Sequence, residues 1–97
     1  MEVKGILKER LTTQTGVSSR SGQPWRTDSY LVVIPGNIEK HIVFEVRGDK
    51  RCKGWKEFMK NLAPNTPVLI KFEIDARQYQ DRWFNSIEAW NIEVTNW

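Results

Sequence analysis

From Pro67 onward the chain alternates apolar and polar positions. Val68, Ile70, Phe72, Ile74 and Ala76 occupy every second place, with Leu69, Lys71, Glu73 and Asp75 between them. Strand side chains alternate faces, so this run has one apolar face and one largely polar face. A second run rich in strand formers follows, with Trp83, Phe84, Ile87, Trp90, Ile92 and Val94. Between the two runs lies Arg77-Gln-Tyr-Gln-Asp-Arg82. Pro67 to Val94 is therefore predicted as one long β-hairpin with a basic, aromatic tip. Trp83 and Phe84 are adjacent, so at most one of them faces a core.

The same reading applied upstream predicts a first strand over Val3 to Thr12. Val3, Gly5, Leu7, Glu9 and Leu11 share one face, and Lys4, Ile6, Lys8 and Arg10 the other. Gly5 marks a bend or bulge that lets a long strand curl. Thr13 to Pro24 is polar, with two Gly and three Ser, and is predicted as a loop in which Arg20 is ordinary loop charge. Trp25 to Ile34 is a second strand, Pro35-Gly36-Asn37 a turn, and Lys40 to Arg47 a third strand. Ile42, Phe44 and Val46 point inward from that third strand. From Asp49 the period changes. Trp55, Phe58, Met59 and Leu62 recur at spacings of three and four, which predicts a short amphipathic helix ending near Leu62 and closed by Pro64 and Pro67.

Three strands, a helix and two strands in that order match an all-β fold with one short helix, the five-stranded oligonucleotide/oligosaccharide-binding (OB) Greek-key barrel, whose helix falls between strands three and four. Another small barrel or an α+β sheet is the competing architecture. Residues 1–97 make a single domain, with no internal repeat or low-complexity segment.

Composition narrows the function. Cys52 is the only cysteine, so an intrachain disulfide and a four-cysteine zinc site are excluded, and it is expected to be an inert small residue. No apolar run is long enough to span a bilayer, and the opening MEVKGILKERL has no signal-peptide character, so a cytoplasmic protein is expected. A net charge of +3 is mild. Its distribution says more: Arg47, Lys50, Arg51, Lys53, Lys56 and Lys60 face only Asp49 and Glu57 in that stretch, which most simply makes a solvated helix face, with a phosphate track as the second reading. Five Trp, two Tyr and four Phe are many for one small core, because each buried indole must also satisfy its N–H. The chain has no phosphate-binding glycine loop, no paired metal-ligand motif and no nucleophile elbow. His41 has no metal-spaced partner. No enzyme, cofactor, metal or small-molecule substrate is expected.

The opening MEVKGIL, the middle KHIVFEVRGDK and the closing IDARQYQDRWFNSIEAWNIE resemble a small bacterial family of unknown function that is itself similar to bacterial single-stranded DNA-binding proteins. The most specific stretch is Ile74 to Ile92. It carries Arg77 and Tyr79, a short turn, Arg82 to Asn85, then Ala89-Trp90-Asn91, where Asn91 replaces the family's Lys and removes one phosphate contact. The resemblance implies an OB fold and, at one remove, nucleic acid binding. Such proteins also assemble through strand pairing, so a homo-oligomer is expected. The closing Val94-Thr-Asn-Trp97 is not the acidic tail through which replication-type relatives recruit partners, so no such recruitment is expected.

An OB barrel binds on strands two and three, flanked by the first-second and fourth-fifth loops. That selects Trp25, Arg26 and Tyr30 from the second strand, His41 and Arg47 from the third, Lys71 from the fourth, and Arg77, Tyr79, Arg82 and Trp83 from the hairpin tip. His41 is better read as a plain exposed residue, and Tyr30 is equally well placed to bury its ring. Trp55 and Phe58 are expected to pack the helix on the barrel, and Trp90 to close the barrel base or a subunit interface. Cations neutralise phosphates and rings stack on unpaired bases, so the expected ligand is single-stranded DNA, with RNA second. The alternative from another class is an OB-type protein-interaction or assembly module with no nucleic acid ligand.

Overall fold

A computed structural model describes residues 1–97 and contains five strands and one helix: β1 (Glu2–Val17), β2 (Pro24–Ile34), β3 (Lys40–Arg47), α1 (Asp49–Lys60), β4 (Pro67–Tyr79) and β5 (Arg82–Val94). The strands close into a barrel in the order β1-β2-β3-β5-β4. This is the OB arrangement, with the helix between β3 and β4 as the patterning predicts.

The first strand is longer than its hydrophobic pattern. Residues 13–17 lack apolar alternation, yet they pair with Pro24 to Asp28 and extend the β1–β2 hairpin, leaving only a short loop. Backbone pairing needs no apolar face, so the pattern was silent there. Two register shifts, between Leu7 and Glu9 and between Arg10 and Thr12, mark bulges at Lys8 and Leu11. Each inserts one residue and re-phases the faces behind it, which is why Leu11 is exposed rather than inward. Gly5 sits at a corner instead of a bulge: β1 pairs with β4 up to Ile6 and with β2 from Ile6 onward. A Cβ on Gly5 would lie 2.8 Å from the Val32 side chain and 2.9 Å from the Val33 carbonyl oxygen.

The core is Leu7, Tyr30, Val32, Phe44, Val46, Val68, Ile70, Phe72 and Ala89 from the barrel, with Cys52 and Trp55 from α1. Phe44 and Phe72 meet edge to face at 5.2 Å. Helix α1 plugs one end of the barrel. Trp55 stacks at a tilt on Tyr30, 5.2 Å between ring centroids, and Phe58, Met59 and Leu62 pack partly buried around the core, as expected for helix packing. The Cys52 thiol bonds to the Val46 carbonyl oxygen at 3.2 Å, and burial pushes its pKa up, so it is an unreactive core group.

The seam between β3 and β5 is the thinnest part of the barrel. It is parallel and rests on a single bridge, Glu45 opposite Glu88. Two carboxylates face each other there, and Arg47 lies between them. Its guanidinium donates to Glu45 Oε2 at 2.8 Å and to Ser86 Oγ at 3.3 Å, and its Nε sits 3.7 Å from Glu88 Oε1. Ser86 Oγ donates to Glu45 Oε2 at 2.9 Å. Side chains thus hold a seam that the backbone ladder barely does. No helix is long and apolar enough to cross a membrane.

Candidate nucleic-acid interface

Both long hairpins run past the barrel. Strand β3 stops pairing with β2 at Thr27–Arg47, while the β1–β2 ladder continues to Val17–Pro24. Strand β4 leaves β1 at Lys71, while its ladder with β5 continues to Tyr79–Arg82. Each overhang is an arm, and a cleft of about 450 Å³ lies between them. Gln14, Trp25, Arg26 and Thr27 line it from the first arm, Glu45, Arg47 and Gly48 from the end of β3, and Arg77 from the second arm. Trp25, Arg26, Arg47 and Arg77 are thus the members of the sequence-derived set that the fold brings together.

The first wall is preformed. Trp25 pairs across the ladder with Gly16, and its indole lies flat on that residue: a Cβ there would fall 2.5 Å from Trp25 Cζ2. Glycine at this place is what seats the ring, which remains 45% exposed. Arg26 donates from Nε to Asp28 Oδ1 at 3.1 Å and from Nη2 to Asp28 Oδ2 at 3.2 Å, a two-pronged pair with a fully buried carboxylate. The hydrogen bonding raises the Arg26 pKa further from neutrality. Arg47 is committed to the seam. For Glu45, burial favours the neutral acid, but the hydrogen bonds from Arg47 and Ser86 outweigh it, and its pKa falls below the ordinary value of 4.5. Arg26 and Arg47 were expected to neutralise phosphates. In the unliganded fold both are held by carboxylates, Arg26 by Asp28 of its own strand and Arg47 by Glu45 and, across the seam, Glu88.

The second wall is free. Arg77, Tyr79 and Arg82 are exposed and Arg77 and Arg82 make no ion pair. The turn is only Gln80-Asp81, with Gln80 at φ 55, so the strands reach further into the tip than the residue pattern suggested. The register then sorts the tip by face. Tyr79 is opposite Arg82 and Arg77 opposite Phe84, and residues directly opposite share a face. Trp83 is opposite Gln78, on the other face with Ile74 and Ala76. Trp83 is 66% exposed but does not share the arginine face, so the cation–aromatic alternation seen in the sequence splits across two faces. The ring that joins Tyr79 beside the arginines is Phe84, 51% exposed, which sequence reasoning passed over. A two-residue turn would have paired it with Arg77, and that was the missed signal.

Three other residues are placed elsewhere. Tyr30 is a correction: it is fully buried in the core against Trp55, and no base can reach it. Its parity with Asp28 and Val32 puts it inside, burial raises its pKa, and its hydroxyl has no hydrogen-bond partner. An orphaned buried hydroxyl of this kind costs about 1–3 kcal/mol. His41 lies on the outside of β3, 3.5 Å from Glu39 and outside the cleft. Lys71 sits on the same face of β4 as Arg77 but about 20 Å further along, at the rise per residue of a strand. Its ammonium is 5.7 Å from the centre of the Trp90 ring. Trp90 is no core residue. The β4–β5 ladder steps from Lys71–Asn91 to Phe72–Ala89, which makes Trp90 the extra residue of a bulge and turns it outward.

These features define an OB-fold protein whose groove lies between two hairpin arms. The chain belongs to the family described as "Domain of unknown function (DUF3127)", which it matches over residues 2–93. No curated protein matches it. Among solved structures it is similar to Rim1, a mitochondrial single-stranded DNA-binding protein of S. cerevisiae, with a TM-score of 0.63 at 10% identity over 97% of this chain and 91% of that one. It is also similar to a small single-stranded DNA-binding protein from Streptomyces coelicolor, with a TM-score of 0.48 at 12% identity over 98% and 92% of the two chains.

Proposed function

We propose that this protein binds single-stranded nucleic acid, DNA ahead of RNA, without catalysis and with little dependence on sequence. The cleft carries this reading: it sets Trp25 across from Arg77, and the outer face of the second arm continues it through Tyr79, Arg82 and Phe84. Bases stack on Trp25, Tyr79 and Phe84, at about 1–3 kcal/mol each where stacking is complete. Arg77 and Arg82 neutralise phosphates, and Lys71 extends the track along β4. The likeness in fold to Rim1 agrees with this. Such a protein would work in the cytoplasm, needing no cofactor.

The test is a titration of the intrinsic Trp fluorescence with oligo(dT) at low and moderate salt. Quenching that fades as salt rises is expected. With Arg77, Arg82 and Lys71 as phosphate partners that make no ion pair, log affinity should fall against log salt with a slope of about –2.1, at about –0.7 per phosphate contact on a single strand. A flat titration of the folded protein at low salt would sink the reading.

One observation favours self-assembly alongside it. The inward-turned side of the second arm carries Ile74, Ala76 and Trp83 with nothing over them, and Ile74 is 50% exposed although it keeps the phase of buried Phe72. A second copy pairing there would bury this strip and double the length of the binding path. Light scattering on Trp83→Lys should then show a smaller particle than the wild type; equal masses would remove the arm from the interface.

A further inference from the structure

Beside the cleft the barrel wall opens. Strands β3 and β5 meet at one bridge only, Glu45 opposite Glu88, and before it no ladder joins them. A groove of about 340 Å³ lies there, walled by Ser29, His41 and Val43 on one side and by Asn85 and Ser86 on the other. Its chemistry differs from that of the cleft. No lysine or arginine lines it, and Val43, 46% exposed, gives it an apolar floor. Hydrogen-bonding side chains without cations suit a base rather than a phosphate.

Glu45 is the one residue that lines both spaces. It stands opposite Ser29, on the outer face of β2 that also carries Thr27 and Trp25. Ser29 lies four residues beyond Trp25, about 13 Å along the strand, so the base that meets Glu45 is not the one stacked on Trp25. A carboxylate in the path of a polyanion is unfavourable unless it makes a compensating contact. Holding the seam uses only one of its oxygens: Oε2 accepts from Arg47 at 2.8 Å and from Ser86 at 2.9 Å. Oε1 accepts no hydrogen bond from the protein, and it is not sealed, since the Tyr30 hydroxyl is the only buried side-chain polar atom without a partner. Burial favours the neutral acid, but the hydrogen bonds from Arg47 and Ser86 and the charges of Arg47 and Arg77 outweigh it and keep the group ionised. Glu45 therefore presents an oxygen that accepts and cannot donate. Cytosine, adenine and guanine each carry an exocyclic amine that donates to such an oxygen. Thymine has a carbonyl oxygen where cytosine has its amine, and the two oxygens repel.

We propose, resting on the reading of the cleft as a single-strand site, that Glu45 reads one base at the mouth of this groove. Its free Oε1 accepts from the exocyclic amine, so one position of a bound strand favours cytosine, adenine or guanine over thymine. The phosphates stay with Arg77 and Arg82 while that base turns in over Val43. Because the contact is to the base, the preference persists at salt concentrations that weaken the phosphate contacts.

The experiment compares labelled oligo(dC), oligo(dT) and oligo(dU) of equal length on the full chain at neutral pH, by anisotropy. Oligo(dU) separates the effect of the amine from that of thymine's methyl group. Oligo(dC) is expected to bind about fivefold tighter than the other two at both low and moderate salt, a single contact being weaker than a two-pronged one. Glu45→Gln should invert the preference. Arg47 and Ser86 hold its amide oxygen where Oε2 now lies, so the amide nitrogen takes the place of Oε1 and donates instead of accepting. Affinity for oligo(dC) should fall and that for oligo(dT) rise, whereas damage to the seam alone would move both the same way. Should that variant fold poorly, oligo(dC) with its amine dimethylated puts the same question to the native protein, and it should bind no better than oligo(dT). Equal affinities of the native protein for oligo(dC) and oligo(dU), or a preference that Glu45→Gln or dimethylation leaves intact, would overturn the role of Glu45 while the cleft reading stands. A flat titration with every oligonucleotide would sink the cleft reading and the base preference together.

Discussion

The two arms that wall the cleft are both hairpins that outrun the barrel, yet they meet a ligand in different states. On the first arm Trp25 is seated on Gly16, and Arg26 is locked to buried Asp28. On the second arm Arg77, Tyr79, Arg82 and Phe84 stand exposed on one face of a ribbon that nothing covers. The first arm offers a fixed ring and a charge already neutralised. The second offers free charges and rings that must be ordered on binding, at about 0.5–1.5 kcal/mol for each long side chain. Affinity per ring is therefore expected to be higher on the first arm, and salt dependence to come almost wholly from the second.

The largest effect should come from the seated ring. Trp25→Ala is expected to cost about 1–3 kcal/mol in oligo(dT) affinity, measured by anisotropy on labelled DNA. Gly16→Val keeps every tryptophan but puts side-chain atoms where the indole now lies, and it should cause much of the same loss. If Gly16→Val binds as wild type while Trp25→Ala does not, the seat is irrelevant and only the ring matters. If both bind normally, the first arm is not a stacking wall at all.

On the second arm the two faces make their own contrast. Phe84→Ala and Tyr79→Ala should each cost about 1 kcal/mol, toward the low end because those rings are unanchored. Trp83→Ala should cost less than either, since its ring lies on the face away from Arg77. A ranking with Trp83 on top would mean that the strand runs along the apolar face of the arm, and the outer-face path would have to be abandoned.

These contrasts also show what was readable in the residues alone. The barrel half of β4 was: Val68, Ile70 and Phe72 alternate and are buried as predicted. Ile74 and Ala76 continue the same alternation beyond the barrel and are exposed. Alternation reports which face a residue takes, and burial depends on whether another element covers that face. The helix could be read from its own period of three and four, whereas the strand order and the four cleft residues Trp25, Arg26, Arg47 and Arg77 were read from the match of the element order to an OB barrel and its ligand face. Three things could not. The bulges at Lys8, Leu11 and Trp90 leave no composition signature, and each re-phases a face. The polar pairing of residues 13–17 carries no apolar signal. The ion pairs of Arg26 and Arg47 depend on Asp28, Glu45 and Glu88, and the bridge to Glu88 comes from closure between β3 and β5, far apart in the chain.

Charge separates the arms next. Arg77→Gln should make the salt slope shallower by about 0.7, one phosphate contact. Arg47→Gln should change that slope less, because its charge is already shared between Glu45 and Glu88, but it should lower the melting temperature by opening the β3–β5 seam. Equal slope changes for the two variants would mean that DNA pulls Arg47 out of the seam on binding.

The smallest effect follows from Glu45 and has opposite signs in stability and in binding. Its folded-state pKa lies below the ordinary 4.5, so the unfolded chain takes up the proton first as pH falls. The stability it contributes is complete well above 4.5, erodes as pH drops through that value, and is gone below the lowered folded-state pKa. Protonation also removes a carboxylate from the cleft wall and releases one hold on Arg47, which favours phosphate. Acid should thus lower the melting temperature while, in protein that remains folded, it tightens oligo(dT) binding. Glu45→Gln reproduces the neutral state at pH 7 and should do both at once: a lower melting temperature and a modestly higher affinity with a steeper salt slope. If Glu45→Gln melts lower and also binds more weakly, Arg47 serves the cleft only while Glu45 holds it in place, and the seam is part of the binding geometry rather than a competitor for its charge.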